Sequence, residues 1–239
     1  MSLTQDIANM VQAANNLTAE VAGKMSEIDQ KTAQNTAKVD SELAKIQTKL
    51  PRIVMTLNQI LKPADGQVYP ENFSIGGGVT AEVYDYIEGN PASRDSAQIS
   101  LLQEIQQDVG ISMRISEHYR QGFYVYKLSW VTGNGSWFAF PRAADNPSLY
   151  NLPLNTFFTV GAFVKVLSGE VSDDAWCKGN KLGKWVFCNS KYEPSSFGAY
   201  VHLHPYRRSE SGEVLVALPA AITGHIESGS NWFPNIILG

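Results

Sequence analysis

The sequence predicts an α plus all-β protein: an N-terminal coiled coil followed by an antiparallel β-sandwich-like head. Three observations carry this. The five Trp, ten Tyr and ten Phe all lie from Tyr69 onward. Of 19 glycines only Gly23 and Gly66 precede that point. Apolar residues before it recur with a helical period, and after it they alternate.

The first segment, residues 1–62, has no aromatic with which to build a core, so its apolar face must find cover in copies of itself. Leu3, Ile7, Met10, Ala14, Leu17 and Val21 are spaced alternately by four and three residues, the seam of a coiled coil. The seam resumes at Met25, Ile28, Thr32, Asn35 and Val39, and again at Leu43, Ile46, Leu50, Ile53, Leu57 and Ile60. Val21 to Met25 and Val39 to Leu43 are stutters, which locally unwind a supercoil. Lys24, Lys31, Lys38 and Lys45 repeat every seven residues. Glu20 precedes Lys24 by four residues and Glu27 precedes Lys31 by four, the favourable order on a helix surface. With Met25 at an a position, Lys24 falls at g and Asp29 at e, which sets up a pair between chains. Residues 5–49 would form a rod of about 68 Å. Leu50-Pro51 interrupts it, because the residue before proline is driven out of the α region. Pro51 then opens a second short helix ending near Leu61, before Pro63-Ala64-Asp65-Gly66. Thr32 and Asn35 are polar at successive core positions, where such residues cost stability and fix register.

From residue 63 to 239 the pattern is β. Val79–Tyr86, Ile111–Ser116 and Phe123–Leu128 alternate. Further strands are expected at Ser136–Phe140, Phe157–Leu167, Trp185–Asn189, Phe197–His204, Glu213–Leu218 and Ile222–Glu227. One helix is expected at Asp95–Val109, with Ile99, Leu102 and Ile105 on a face. The absence of a tandem repeat argues against a propeller or β-helix.

With 44% hydrophobic and 18% charged residues the chain reads as folded. Its net charge of −4 argues against nucleic acid as a partner. No apolar run is long enough to insert in a membrane; the longest, Val214 to Ile222, contains Pro219. The start, Met1-Ser2-Leu3-Thr4-Gln5-Asp6, has neither the basic nor the apolar region of a secretory leader, so none is expected.

A stuttering, polar-cored coiled coil followed by an aromatic-rich β head resembles a bacteriophage tail fibre or receptor-binding protein. The resemblance is architectural and rests on Met1–Leu61 as stalk and Tyr69–Gly239 as head. It implies a trimeric coiled coil, an N-terminal region attached to baseplate or tail proteins, and a head that recognises the host. It also implies residence in the virion tail, after assembly in the host cytoplasm. The chain is short for such a fibre, which leaves a purely structural connector as the alternative. In a trimer, three Asn35 amides would surround an axial anion or water.

Several residues are candidates for the head's chemistry. His202-Leu203-His204 would project two imidazoles from one face of a strand. In a threefold assembly six such nitrogens would suit one axial iron, nickel or zinc ion, as the resemblance implies for an HxH motif. Trp137, Trp176 and Trp232 lie beside turns and are the expected stacking platforms for a bacterial surface glycan, while most of the five Trp, Trp130 and Trp185 among the candidates, are expected in the core. Arg207 and Arg208 would hold an anionic glycan or phosphate. Cys177 and Cys188 flank an expected hairpin, as free thiols, as a disulfide, or as half of a Cys2His2 zinc set with His202 and His204. No enzyme is expected. Glu82, Asp85, Asp173 and Asp174 show no spacing that pairs two of them for a glycan-degrading site. Gly76-Gly77-Gly78 lacks the lysine of a phosphate loop, and no Gly-x-Ser-x-Gly occurs.

Overall fold

A computed structural model describes the backbone of residues 2–49, 52–233 and 236–237. It divides into two compact units, Met1–Gln47 and Thr48–Gly239. The first is a single helix, α1 (Leu3–Lys49). Leu50 and Pro51, the expected break, lie outside the described residues. The seam residues from Leu3 to Ile46 are exposed, as are Thr32 and Asn35. Glu27 sits between two of the repeating lysines, 3.1 Å from Lys24 and 2.8 Å from Lys31. Those ammonium groups, Lys31 foremost, hold its carboxyl below the usual range. Lys24 thus pairs forward with Glu27, not back with Glu20 as the spacing predicts.

The second unit contains β1 (Ile53–Val54), β2 (Phe73–Ile75), β3 (Val79–Ile87), α2 (Ser96–Val109), β4 (Phe123–Trp130), β5 (Ala139–Pro141), β6 (Asn151–Pro153), β7 (Phe158–Ser168), β8 (Trp185–Tyr192), β9 (Tyr200–His202), β10 (Gly212–Thr223) and β11 (Ile236–Ile237). The central sheet runs β3–β4–β10–β7–β8, antiparallel throughout. Past Ala217, where β4 ends its pairing, β1 takes over that edge with Val54 opposite Ile222, and β11 runs parallel to β1.

Both faces of this sheet are buried, so its central strands are apolar almost without interruption. On one face Tyr126, Leu128, Val160, Val164, Val214 and Val216 join Phe138 and Trp176. The ribbons β2–β5 and β6–β9 cover that side. On the other, Val125, Phe163, Phe187 and Leu215 pack with Leu101, Leu102 and Ile105 of α2. The carboxylate of Asp95 starts α2 by accepting from Ala97 N and Gln98 N, each at 2.9 Å, and Gly110 ends it in the left-handed region. The architecture is therefore α+β, one dominant antiparallel sheet with a helix on one face and two small ribbons on the other. A second sheet of matching size, as a sandwich requires, is not among the described elements.

Three expectations are corrected. The helix expected over residues 51–61 is β1 followed by turns. Asn58 and Leu61 have φ of 54° and 55°, incompatible with a right-handed helix. Val54, Thr56, Gln59 and Leu61 are buried in the β unit, so it starts well before residue 63. The strand expected at Ile111–Ser116 is a loop. Ile111, Met113 and Ile115 do alternate inward against the α2-side core. The carbonyls of Arg114, Ile115 and Glu117, however, accept from the Arg94 guanidinium and not from a neighbouring strand. Finally, the strand expected at Glu213–Leu218 and the first two residues of the one expected at Ile222–Glu227 belong to the single β10, and residues 224–227 are not strand. A bulge at Leu218 (φ 55°) and Pro219 switches the face parity. Leu215 and Ala217 face α2 before it; Ala220 and Ile222 do so after it.

No described helix is long and apolar enough to cross a membrane.

Candidate functional site

The site grows out of the segment from Tyr200 to Arg207. On one side it pairs with β6, with Asn151 opposite His202, and Leu203 N donates to Tyr150 O at 3.0 Å. On the other, Phe138 N donates to Pro205 O at 2.8 Å, and Trp137 and Tyr206 form a bridge. Leu203 and Pro205 are buried, so the extended chain's period of two turns His202, His204 and Tyr206 to the opposite side. There they meet Trp137, Phe140 and Tyr150 around an open cleft of about 440 Å³.

Six ring side chains line this cleft. The His202 and His204 rings are 5.1 Å apart. His202 stacks on Tyr150 at 5.2 Å with the planes only 13° apart. His204 meets Tyr206 edge-on at 5.0 Å and lies 6.3 Å from Trp137. The Arg208 guanidinium lies 5.6 Å from the Tyr206 ring and is itself exposed. Burial, with the neighbouring His202 adding to it, pushes the His204 imidazole below its usual pKa, against an opposing pull from Asp174. Nδ1 of His204 is buried with no hydrogen-bond partner among the described residues. The lining supplies flat apolar faces with imidazole, phenol and indole hydrogen-bonding groups at their edges, and no carboxylate.

The structure therefore gathers three of the expected residues, Trp137, His202 and His204, in the lining, leaves Arg208 exposed beside Tyr206, and separates Trp176, Trp232 and Arg207 from it. Trp176 and Trp232 are fully buried, with Nε1 donating to Ala139 O at 2.9 Å and to Leu218 O at 2.7 Å. Short helical turns at Ala175–Cys177 and Gly229–Asn231 fold these indoles inward, so neither offers a platform to solvent. Arg207 is also buried: Nη1 donates to Thr132 O at 2.9 Å, and a Cβ added at Gly133 would lie 2.6 Å from that nitrogen. Its guanidinium props the turn at residues 132–135 and is not displayed to an anion. Trp130 and Trp185 are buried as well.

Cys177 and Cys188 are unbonded and buried in the ribbon-side core. Burial raises both thiols above the ordinary range. They do not face each other across a hairpin, since Cys188 pairs on β8 with Ala162 and Cys177 sits in a helical turn. Among the described residues no three His, Cys, Asp or Glu side chains converge, so the Cys2His2 set is not assembled within one chain. The acidic candidates are engaged in the fold or on its surface. Glu82 pairs with Lys127, and Asp85 accepts from Tyr86 N at 2.8 Å. Asp173 accepts from Gly179 N and Asp174 from Ser172 Oγ, each at 2.5 Å.

Sequence reasoning missed Phe140, Tyr150 and Tyr206. Tyr206 was within reach, since it continues the two-residue period of His202 and His204. Tyr150 and Phe140 arrive through ladders of long sequence separation that no local pattern signals.

No family model matches the chain, and no curated protein or solved structure is significantly similar to it.

Proposed function

We propose that this chain is a non-enzymatic, homotrimeric fibre protein of the bacteriophage tail type, which attaches to a bacterial surface glycan through the ring-lined cleft. The observation that carries the binding role is the convergence of Trp137, Phe140, Tyr150, His202, His204 and Tyr206 on one open concavity. Sugar rings present apolar C–H faces and hydroxyl edges. Aromatic faces with polar rims match both. The stalk role rests on α1, whose seam residues Leu3, Ile7, Met10, Leu17, Val21, Met25, Ile28, Val39, Leu43 and Ile46 are each at least half exposed. A trimeric coiled coil would cover them. Attachment of that segment to baseplate or tail proteins completes the reading. In it the imidazoles serve as hydrogen-bonding groups for the sugar and not as ligands of an axial iron, nickel or zinc ion.

The test is binding of the full chain to polysaccharide isolated from candidate hosts, with sedimentation equilibrium on the same sample. Trp137→Ala is expected to weaken binding roughly tenfold or more, the scale of an aromatic anchor. Its unfolding midpoint should stay close to the parent's, because Trp137 is only partly buried. Undiminished binding by a folded Trp137→Ala protein refutes the cleft. A monomeric mass at micromolar concentration refutes the stalk.

A further inference from the structure

We infer that a second cleft, on the α2 side of the central sheet, binds a small amphipathic anion: a carboxylate or phosphate carried on a compact acyl or aromatic body. The cleft measures about 320 Å³, at the small end of the roughly 300–1,000 Å³ typical of ligand pockets. Its floor is apolar. Phe123, Phe163 and Leu218 are buried, and Phe233 meets Phe123 edge-on at 5.7 Å. Its rim carries two guanidinium groups, Arg114 and Arg120, with the His118 imidazole beside them, all exposed. Arg114 is engaged, its Nε donating to Glu117 Oε2 at 2.9 Å. Among the described residues His118 and Arg120 have no hydrogen-bond or ion-pair partner, and no carboxylate lines the cleft. An apolar floor under an unpaired guanidinium and a free imidazole fits a ligand with an apolar body and an anionic head.

Two further observations set this cleft apart from an accidental gap. Of the six described non-glycine residues with positive φ, Arg114 (48°) and Leu218 (55°) both line it. Strained backbone of this kind persists where surrounding structure enforces it, and it clusters at ligand sites. Here the enforcing group is Arg94, buried beneath the loop. It donates to the carbonyls of Glu88, Gly89, Arg114, Ile115 and Glu117, and its guanidinium carbon lies 4.1 Å from the centre of the Tyr119 ring. Tyr119 lines the cleft, and its hydroxyl donates to Met113 O. The loop is thus shaped before any ligand arrives, which lowers the ordering cost of binding. Its floor belongs to the α2-side core and the ring-lined cleft to the ribbon side, so this site stands or falls independently of glycan recognition.

Isothermal titration of the full chain with decanoate, decanol and decyltrimethylammonium tests the proposal. Decanoate is expected to bind saturably at one site per chain. Decanol should bind roughly tenfold or more weakly, the worth of a lost charge-assisted contact, and the cationic amphiphile should not saturate. Arg120→Gln, an exposed substitution, should remove most of the preference for decanoate over decanol. Ser230→Trp at the mouth should abolish binding of both while thermal unfolding by circular dichroism stays at the parent's midpoint. Absence of saturable decanoate binding, equal affinity for decanoate and decanol, or undiminished binding by Ser230→Trp overturns the proposal.

Discussion

Replacing Arg94 by lysine keeps the charge and removes the fork, and its cost follows from the geometry. Arg94 is 6% exposed and reaches five backbone carbonyls from three nitrogens. The contacts to Glu88 O at 2.8 Å, Glu117 O at 2.9 Å and Ile115 O are well formed; those to Gly89 O and Arg114 O are longer, at 3.3 and 3.5 Å. A single ammonium cannot reach Glu88 O and the 115–117 carbonyls together, so at least one good contact and its acceptor's desolvation are forfeited. Hydrogen bonds to charged groups contribute about 1.5–3 kcal/mol each, and a buried carbonyl left unpaired costs about 1–3 kcal/mol. Allowing for non-additivity, Arg94→Lys should destabilise the β unit by about 3 kcal/mol. For a unit of this size that is a fall of about 6–12 °C in melting temperature. Urea unfolding followed by tryptophan fluorescence is the assay, because all five Trp lie in the β unit and none in α1. Hydrogen exchange should accelerate at Glu117 N and Tyr119 N, which donate to Arg114 O and Gly89 O. A loss below about 1 kcal/mol with both amides still protected would show that the loop holds its shape without Arg94, and the reasoning would fail.

Two other outcomes are expected. Asn35→Ile should stabilise the helical transition by roughly 1 kcal/mol per chain, raising its midpoint, and broaden the oligomer distribution, because the proposed trimer would exchange a buried amide for an apolar layer. Circular dichroism and sedimentation equilibrium check it, and a lower midpoint with a strictly single oligomer contradicts it. The depressed pKa of His204 means that the unfolded chain takes up this proton first as the pH falls below about 6.5. Stability present above that value is therefore lost on acidification until the lower, folded-state pKa is passed. His202 strengthens this trend and Asp174 opposes it. The unfolding midpoint of His204→Gln should vary less between pH 7 and 5 than the parent's, and an identical slope would remove His204 from the account.

How much was legible in the sequence depended on whether a residue's neighbours were local. The helical period of α1 and the span of α2, with Asp95 and Gly110 as its caps, follow from residues within a few positions of one another. So do the cores of β3, β4, β7 and β8. Ile53, Leu57 and Ile60 continued the seam's spacing, yet a short apolar run fits a strand or turn as well as a helix, and tertiary pairing with β10 decided it. The break read into β10 was real as a change of parity, but the bulge at Leu218-Pro219 absorbs it without ending the strand. In the candidate site, the shared direction of His202 and His204 was readable from the strand period. Turn proximity misled for Trp176 and Trp232, because sequence distance to a turn does not tell which way an indole points. Arg94 carried no signal at all. An arginine that serves backbone carbonyls looks, in sequence, like any solvated one.

The position of β10 also governs the order in which the chain can be finished. This strand fills the gap between β4 and β7 yet follows both in the chain, so the sheet cannot close until residues 212–223 have left the ribosome. Until then β4 and β7 each present an unpaired inner edge, the kind of surface that recruits a strand from a neighbouring molecule. The helix precedes the sheet in the chain and can form from contacts local in sequence before β10 is made. If nascent chains associate through α1 on a common messenger, their half-made sheets are held close together at the stage when strand exchange is easiest. Slowing translation between codons 50 and 212 should therefore increase domain-swapped product, and moving the helical segment to the C-terminus should reduce it.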